Sequence, residues 1–161
     1  MVVPAPAATL VASVLALGLL LVSALAAGQE ATRKPIFDPK RDAAKDIADA
    51  VKLASKQNKR ILIDVGGNWC GWCHLLDKMF KTDKDVAKIL KEKYVVVKIN
   101  WSEENKNEKV LAKYPKVEAF PHLFVLDKGG KFLHSQGTGE LETGDHHDHD
   151  KVMMFLKKWA N

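Results

Sequence analysis

The sequence predicts an α/β domain with a mixed central sheet flanked by helices, and three features carry that expectation. Apolar, β-branched runs at residues 60–67 (RILIDVGG) and 94–100 (YVVVKIN) are separated by stretches with helical apolar spacing, the alternation of strand–helix–strand units. Two later runs, 122–127 and 131–135, are joined by Lys128-Gly129-Gly130 and read as an antiparallel hairpin. Between the first strand and the helix after it stands a cysteine pair, Cys70 and Cys73.

The elements follow in chain order. No residue before Glu30 is charged, and Leu10 to Leu25 is an apolar run with the length of a secretory hydrophobic region. Ala24-Leu25-Ala26 fits a small-x-small cleavage pattern, so a signal peptide over 1–26 and a mature start at Ala27 are expected. If residues 7–27 are retained instead, about 20 apolar residues are just enough to anchor the chain in a bilayer. Residues 27–37 form a polar linker, and the domain proper covers 38–161. Asp38-Pro39 reads as a helix start, because Asp caps free amides and Pro is tolerated in the first turn. Ala43, Ile47, Ala50, Val51 and Ala54 then share one helical face.

After the cysteines, Leu75, Leu76, Met79 and Phe80 recur at helical spacing, and a second helix is expected from Asp83 to about Lys93, with Val86, Ile89 and Leu90 inward. A further helix is expected over Asn105 to Tyr114, followed by a loop to Phe120-Pro121. Val152, Phe155, Leu156 and Trp159 mark a C-terminal helix, separated from the hairpin by a loop over 137–150.

Composition narrows the function. The 161 residues, 47% of them hydrophobic, bury a core without metal or disulfide staples. Lys and Arg number 25 against 20 Asp and Glu, and the signs are interspersed, so nucleic acid is not an expected partner. Two cysteines rule out a disulfide scaffold, and no second Cys-x-x-Cys completes a structural zinc site. A redox pair is the reading that remains.

The chemistry suits that pair. A two-residue spacer on a helix's first turn lets two sulfurs reach bonding distance. The amides and dipole of a helix N-terminus favour a thiolate there, so Cys70 is expected to attack substrate disulfides and Cys73, one turn further in, to resolve the mixed disulfide. Trp69, Gly71 and Trp72 sit where a substrate approaches. His74 is either a further stabiliser of the thiolate or an exposed helix residue. Asp64, in an apolar strand, is expected to be desolvated, to hold its proton more tightly than usual and to serve as acid and base for a thiol.

The chain resembles the thioredoxin superfamily over Asp38 to Asn161. Ile61-Leu62-Ile63-Asp64-Val65, Trp69-Cys70-Gly71-Trp72-Cys73, Val97-Lys98-Ile99-Asn100 and Phe120-Pro121 carry the likeness. It implies a thioredoxin fold and thiol–disulfide oxidoreductase activity. It further implies that Asp64 lies beneath the resolving cysteine with Lys98 as its partner, and that Pro121 is cis and lies against the disulfide. With Phe120, Pro121 would expose backbone to which a substrate adds as a strand. Gly71-Trp72 departs from the Gly-Pro of thioredoxins and from the Pro-His and Gly-His pairs of oxidases and isomerases. The string is more similar to exported bacterial thioredoxin-like proteins.

The expected partners are therefore protein thiols and disulfides, with an electron donor or acceptor that the sequence does not name, and no cofactor beyond the redox-active disulfide. Gly71-Trp72 places no cation between the cysteines, which favours the reductase or isomerase direction. The expected location is extracytoplasmic, periplasmic or secreted. The alternative is a metal- or partner-binding protein using the cysteines and the histidine-rich loop Asp145-His146-His147-Asp148-His149-Asp150.

Overall fold

The structure, a computed structural model, describes residues 34–160. The expected signal peptide and most of the linker lie outside those residues. The helices are α1 (Ala43–Gln57), α2 (Gly71–Thr82), α3 (Lys84–Lys93), the single turn α4 (Glu108–Leu111) and α5 (His149–Trp159). The main strands are β1 (Arg60–Gly66), β2 (Tyr94–Asn100), β3 (His122–Leu126) and β4 (Phe132–Gly137), in spatial order β2-β1-β3-β4. β1 is parallel to β2 and antiparallel to β3, and β3 is antiparallel to β4. This is the mixed sheet the sequence predicts.

Side chains alternate across the sheet, and each face has its own helices. Ile61, Ile63, Val65, Phe124 and Leu126 pack with Ala43, Ala50 and Ala54 of α1. Leu62, Leu123 and Val125 meet Leu76 and Phe80 of α2, Val86 and Leu90 of α3, and Val152, Phe155 and Leu156 of α5. By the same alternation Asp64 points toward α2, the helix that carries the cysteines.

Three local expectations change. Helix α1 starts at Ala43 rather than at Asp38-Pro39. Its N-cap is Asp42, whose side chain accepts from the Lys45 amide at 3.0 Å, while Asp38 closes a turn with the Lys40 amide at 2.9 Å. The helix expected over 105–114 shrinks to α4, because asparagine side chains take the backbone elsewhere. Asn100 Nδ2 donates to Asn105 O at 2.8 Å, Asn107 Nδ2 donates to Asn100 O at 2.7 Å, and Asn107 sits at φ 49°. The loop over 137–150 is instead structured: a 3₁₀ turn (Thr138–Leu141) leads into a short hairpin of β5 (Glu142–Thr143) and β6 (His146–His147). Asp148 caps α5, accepting from the Lys151 amide at 3.0 Å.

Candidate active site

Cys70 is the N-cap of α2 and Cys73 lies on its first turn. The two are joined by a disulfide with their Cα atoms 5.2 Å apart. The Cys73 amide donates to Cys70 Sγ at 3.1 Å. A free helix-terminal N–H thus already points at this sulfur, the arrangement that favours a thiolate there. Cys70 is 5% exposed and Cys73 1%. Both cysteines are thus buried, Cys70 slightly less than Cys73, where the sequence led us to expect an exposed attacking cysteine.

The space beneath Cys73 is set by β1. A Cβ built on Gly66 would meet Cys73 Sγ at 2.6 Å, so any larger residue there collides with the redox sulfur. Asp64 stands two residues back on the same face and is 1% exposed. Its register partner is Lys98 on β2, and Lys98 Nζ donates to Asp64 Oδ2 at 2.7 Å, the pairing that the resemblance implied.

That ammonium is shared. Asp77, one turn beyond Cys73 on α2, lies 3.1 Å from Lys98 Nζ and 2.7 Å from Lys81 Nζ. Burial pushes the Asp64 carboxyl above the ordinary carboxylate range, and Lys98, which also serves Asp77, offsets only part of that cost. Burial also works against the Asp77 anion, but its two ammonium partners hold its proton affinity below the ordinary value. Lys98 loses by burial and gains more from its two carboxylates, so it stays charged above the usual lysine range. A carboxyl of raised proton affinity thus sits near one of lowered proton affinity, with Lys98 between them.

The outer side of the cysteines is aromatic. Trp69 is 51% exposed and donates Nε1–H to Trp101 O at 2.9 Å. Its ring meets those of Trp101 and Phe120 edge-on, at centroid distances of 6.0 and 5.6 Å, while Trp101 and Phe120 lie 4.8 Å apart. The Phe120–Pro121 peptide is cis, and the Pro121 carbonyl accepts from Thr138 Oγ1 at 2.8 Å. Phe120 packs against the cluster of Phe37, Cys70 and Cys73. A groove of about 360 Å³ opens beside it, lined by Trp101, Leu111, Tyr114, Val117 and Phe120 among others. Gly71 is exposed and Trp72 half-buried at the start of α2.

His74 is engaged by the preceding loop, its Nε2–H donating to Asn68 O at 2.9 Å. The three histidines of the 145–150 segment diverge. His146 pairs with Asp145, His149 Nδ1 donates to Asp83 at 2.7 Å, and His147 packs against Trp72. Among the described residues no group of three or more His, Cys, Asp or Glu is arranged to hold a metal ion.

Four residues of this site were not legible beforehand. Asp77 is ambiguous because an acidic residue on an amphipathic helix reads as surface. Trp101 and His147 reach the site from far along the chain. Gly66 carried a signal, a glycine ending a buried strand shortly before the motif, but that signal also fits a plain strand end.

Comparison with known proteins is consistent with this geometry. A 92-residue stretch is 32% identical to the thiol:disulfide interchange protein DsbD of Actinobacillus pleuropneumoniae serotype 5b (strain L20), covering 56% of this chain and 16% of that protein. A 62-residue stretch is 32% identical to human spermatogenesis-associated protein 20, covering 38% of this chain and 8% of that one. The chain thus spans less than a fifth of these relatives' length. The crystal structure of a disulphide isomerase from Xylella fastidiosa Temecula1 superposes with a TM-score of 0.69 at 24% identity, covering 78% of this chain and 96% of that one, a likeness of fold. A family model described as thioredoxin-like matches residues 42–128, more than half the chain, and the chain belongs to the thioredoxin-like family.

Proposed function

We propose that the chain is an extracytoplasmic thiol–disulfide oxidoreductase that acts on protein thiols and disulfides through Cys70 and Cys73, in the reductase or isomerase direction. The observation that carries this reading is the placement of Cys70 Sγ at the α2 N-terminus, receiving the Cys73 amide, on the helix that packs against the sheet face bearing the buried, Lys98-paired Asp64. In the reduced protein the Cys70 thiolate attacks a substrate disulfide, and one substrate sulfur leaves as a thiolate. With Asp64 ionised, Cys73 gives its proton to that carboxylate and attacks Cys70 Sγ. The Cys70–Cys73 disulfide forms, and the second substrate sulfur departs and is protonated. No cofactor beyond the cysteine pair enters these steps, and an outside dithiol must reduce the protein again.

Asp64, Lys98, Cys70 and Cys73 form the catalytic set. Trp69, Gly71, Trp72, Phe120 and Pro121 form the substrate face. The name of the DsbD relative, a thiol:disulfide interchange protein, supports the reaction class. Residues 1–26 serve as the export signal in this reading.

The reduction potential tests the reading and its direction. Equilibration in glutathione or dithiothreitol buffers, followed by tryptophan fluorescence, should place the couple nearer about −270 mV than about −120 mV, since no cation lies between the cysteines. A value above about −150 mV would make disulfide donation the task instead.

A further inference from the structure

The stretch expected as a polar linker ends inside the domain. Ile36 is half-buried and Phe37 is 3% exposed, although residues 34–40 form neither helix nor strand. Asn68, on the loop between β1 and Cys70, holds them. Its Oδ1 accepts from the amides of Ile36 and Phe37 at 2.8 and 2.9 Å, and its Nδ2 donates to Phe37 O at 2.8 Å. Farther along, Asn105 Nδ2 donates to Pro39 O at 2.8 Å. A segment outside helices and sheets stays loose unless tied down, and here asparagines on the loops after β1 and β2 tie it to the end of the sheet that carries the redox site.

The strap delivers one ring to the cysteines. Phe37 packs with Cys70 and Cys73, and the atoms nearest to a Cβ built on Gly66 are Cys73 Sγ at 2.6 Å and Phe37 Cζ and Cε2 at 2.9 and 3.2 Å. Ring edge and redox sulfur therefore share one small space. The Lys98 ammonium lies over the same ring, 4.7 Å from its centroid, a cation–π contact with the group that pairs with Asp64 and Asp77.

Thiol–disulfide exchange needs an open approach to the attacking sulfur. Cys73 is 1% exposed between β1 and this ring, whereas Cys70, at the N-cap, has the exposed Trp69 and Gly71 as chain neighbours. Resolution asks for no such opening, because Cys70 already stands within bonding reach of Cys73.

We propose that Phe37, clasped by Asn68, is a positioning residue of the redox site, its ring covering Cys73 so that attack on substrate disulfides is confined to Cys70. The inference rests on the proposed exchange function and says which of two buried sulfurs meets substrate. Phe37 lies outside the 42–128 family match.

The test reads each sulfur alone in the whole chain. Cys70→Ser leaves Cys73 as the one thiol, and Cys73→Ser leaves Cys70. The probe is dipyridyl disulfide: the protein thiolate attacks one probe sulfur, a protein–pyridyl disulfide forms, and the other half leaves as a pyridinethiolate that takes up the cysteine's released proton and is read by its absorbance. Phe37→Ala removes the ring, and Asn68→Ala removes the clasp with every apolar side chain in place. Either should raise the Cys73 rate relative to the Cys70 rate about tenfold, the shift in a local opening equilibrium that loss of one net hydrogen bond brings. Phe37→Leu, which keeps an apolar cover, should stay nearer the parent than Phe37→Ala.

The ratio separates a cover from a merely structural role, since general loosening speeds both sulfurs alike. Should Phe37→Ala lack native circular dichroism, Asn68→Ala carries the test by itself. A ratio within about twofold of the parent in the folded variants would overturn the assignment while leaving the exchange function standing. If the parent chain, loaded with a pyridyl thiol on Cys70, does not release it by attack of Cys73, the exchange function fails and this role fails with it.

Discussion

The two sides of the cysteine pair are built on opposite principles. On the inner side the buried Asp64 and Asp77 share Lys98, and the buried His147 is held on the Trp72 carbonyl. On the outer side Trp69 meets Trp101 and Phe120 edge-on, with half of Trp69 in water, and Trp101 and Phe120 line a groove. Dry charges set where protons go, because each is costly unless partnered. Exposed aromatic surface takes an apolar side chain with little demand on its identity. In the proposed function the inner side would govern the rate of chemistry and the outer side which polypeptide is held.

The sharpest way to break that division is Asp64→Asn. It removes the proposed acceptor for the Cys73 proton, and release from Cys70 should slow about a hundredfold in stopped-flow measurements. The same variant changes stability in a direction set by linkage. Burial raises the folded-state proton affinity of Asp64, so between the unfolded value near pH 4 and the raised folded value the native state holds a proton that the unfolded chain has released. Stability contributed by this proton is full below that window and is lost as pH rises through it. Asp64→Asn should raise the melting temperature at pH 7 and have little effect at pH 3.5. An equal shift at both pH values would contradict the assignment of the raised proton affinity to this group.

A smaller effect is expected from the outer side. Trp101→Ala removes a wall of the groove and the carbonyl-bearing strand end loses its ring contacts with Trp69 and Phe120. KM for a disulfide-containing protein should rise about fivefold, the scale of one aromatic contact, with release of a small thiol from Cys70 within twofold of the parent. A large loss in small-thiol release would mean that the two sides are not separate.

The smallest effect lies away from the site. Asp83 holds the exposed His149 above the ordinary histidine value of about 6.5. Its contribution is present below that value and lost as pH rises through the raised one. His149→Ala should lower the melting temperature slightly at pH 5 and not at pH 8.

How much of this was legible follows from chain distance. The strands, the helix after the cysteines, and the placement of Cys70 at a helix start and of Asp64 in a buried strand rest on short-range spacing, and the strand over 94–100 matches residue for residue. The reach of Lys98 to Asp64 and the cis bond at Pro121 came from family likeness. Trp101 reaches Trp69 across 32 residues, and His147 reaches Trp72 across 75. No local pattern encodes such contacts. The helix expected over 105–114 is cut to one turn because Asn105 and Asn107 bond to Pro39 and Asn100, contacts that local spacing does not show.

Trapping by single-cysteine variants tests the central claim most directly. Extracts incubated with Cys73→Ser and Cys70→Ser, then separated under non-reducing conditions, report which sulfur attacks substrate. The account predicts dithiothreitol-sensitive mixed disulfides on Cys70 in the first variant and none in the second. Equal trapping by both, or trapping by neither, would contradict it.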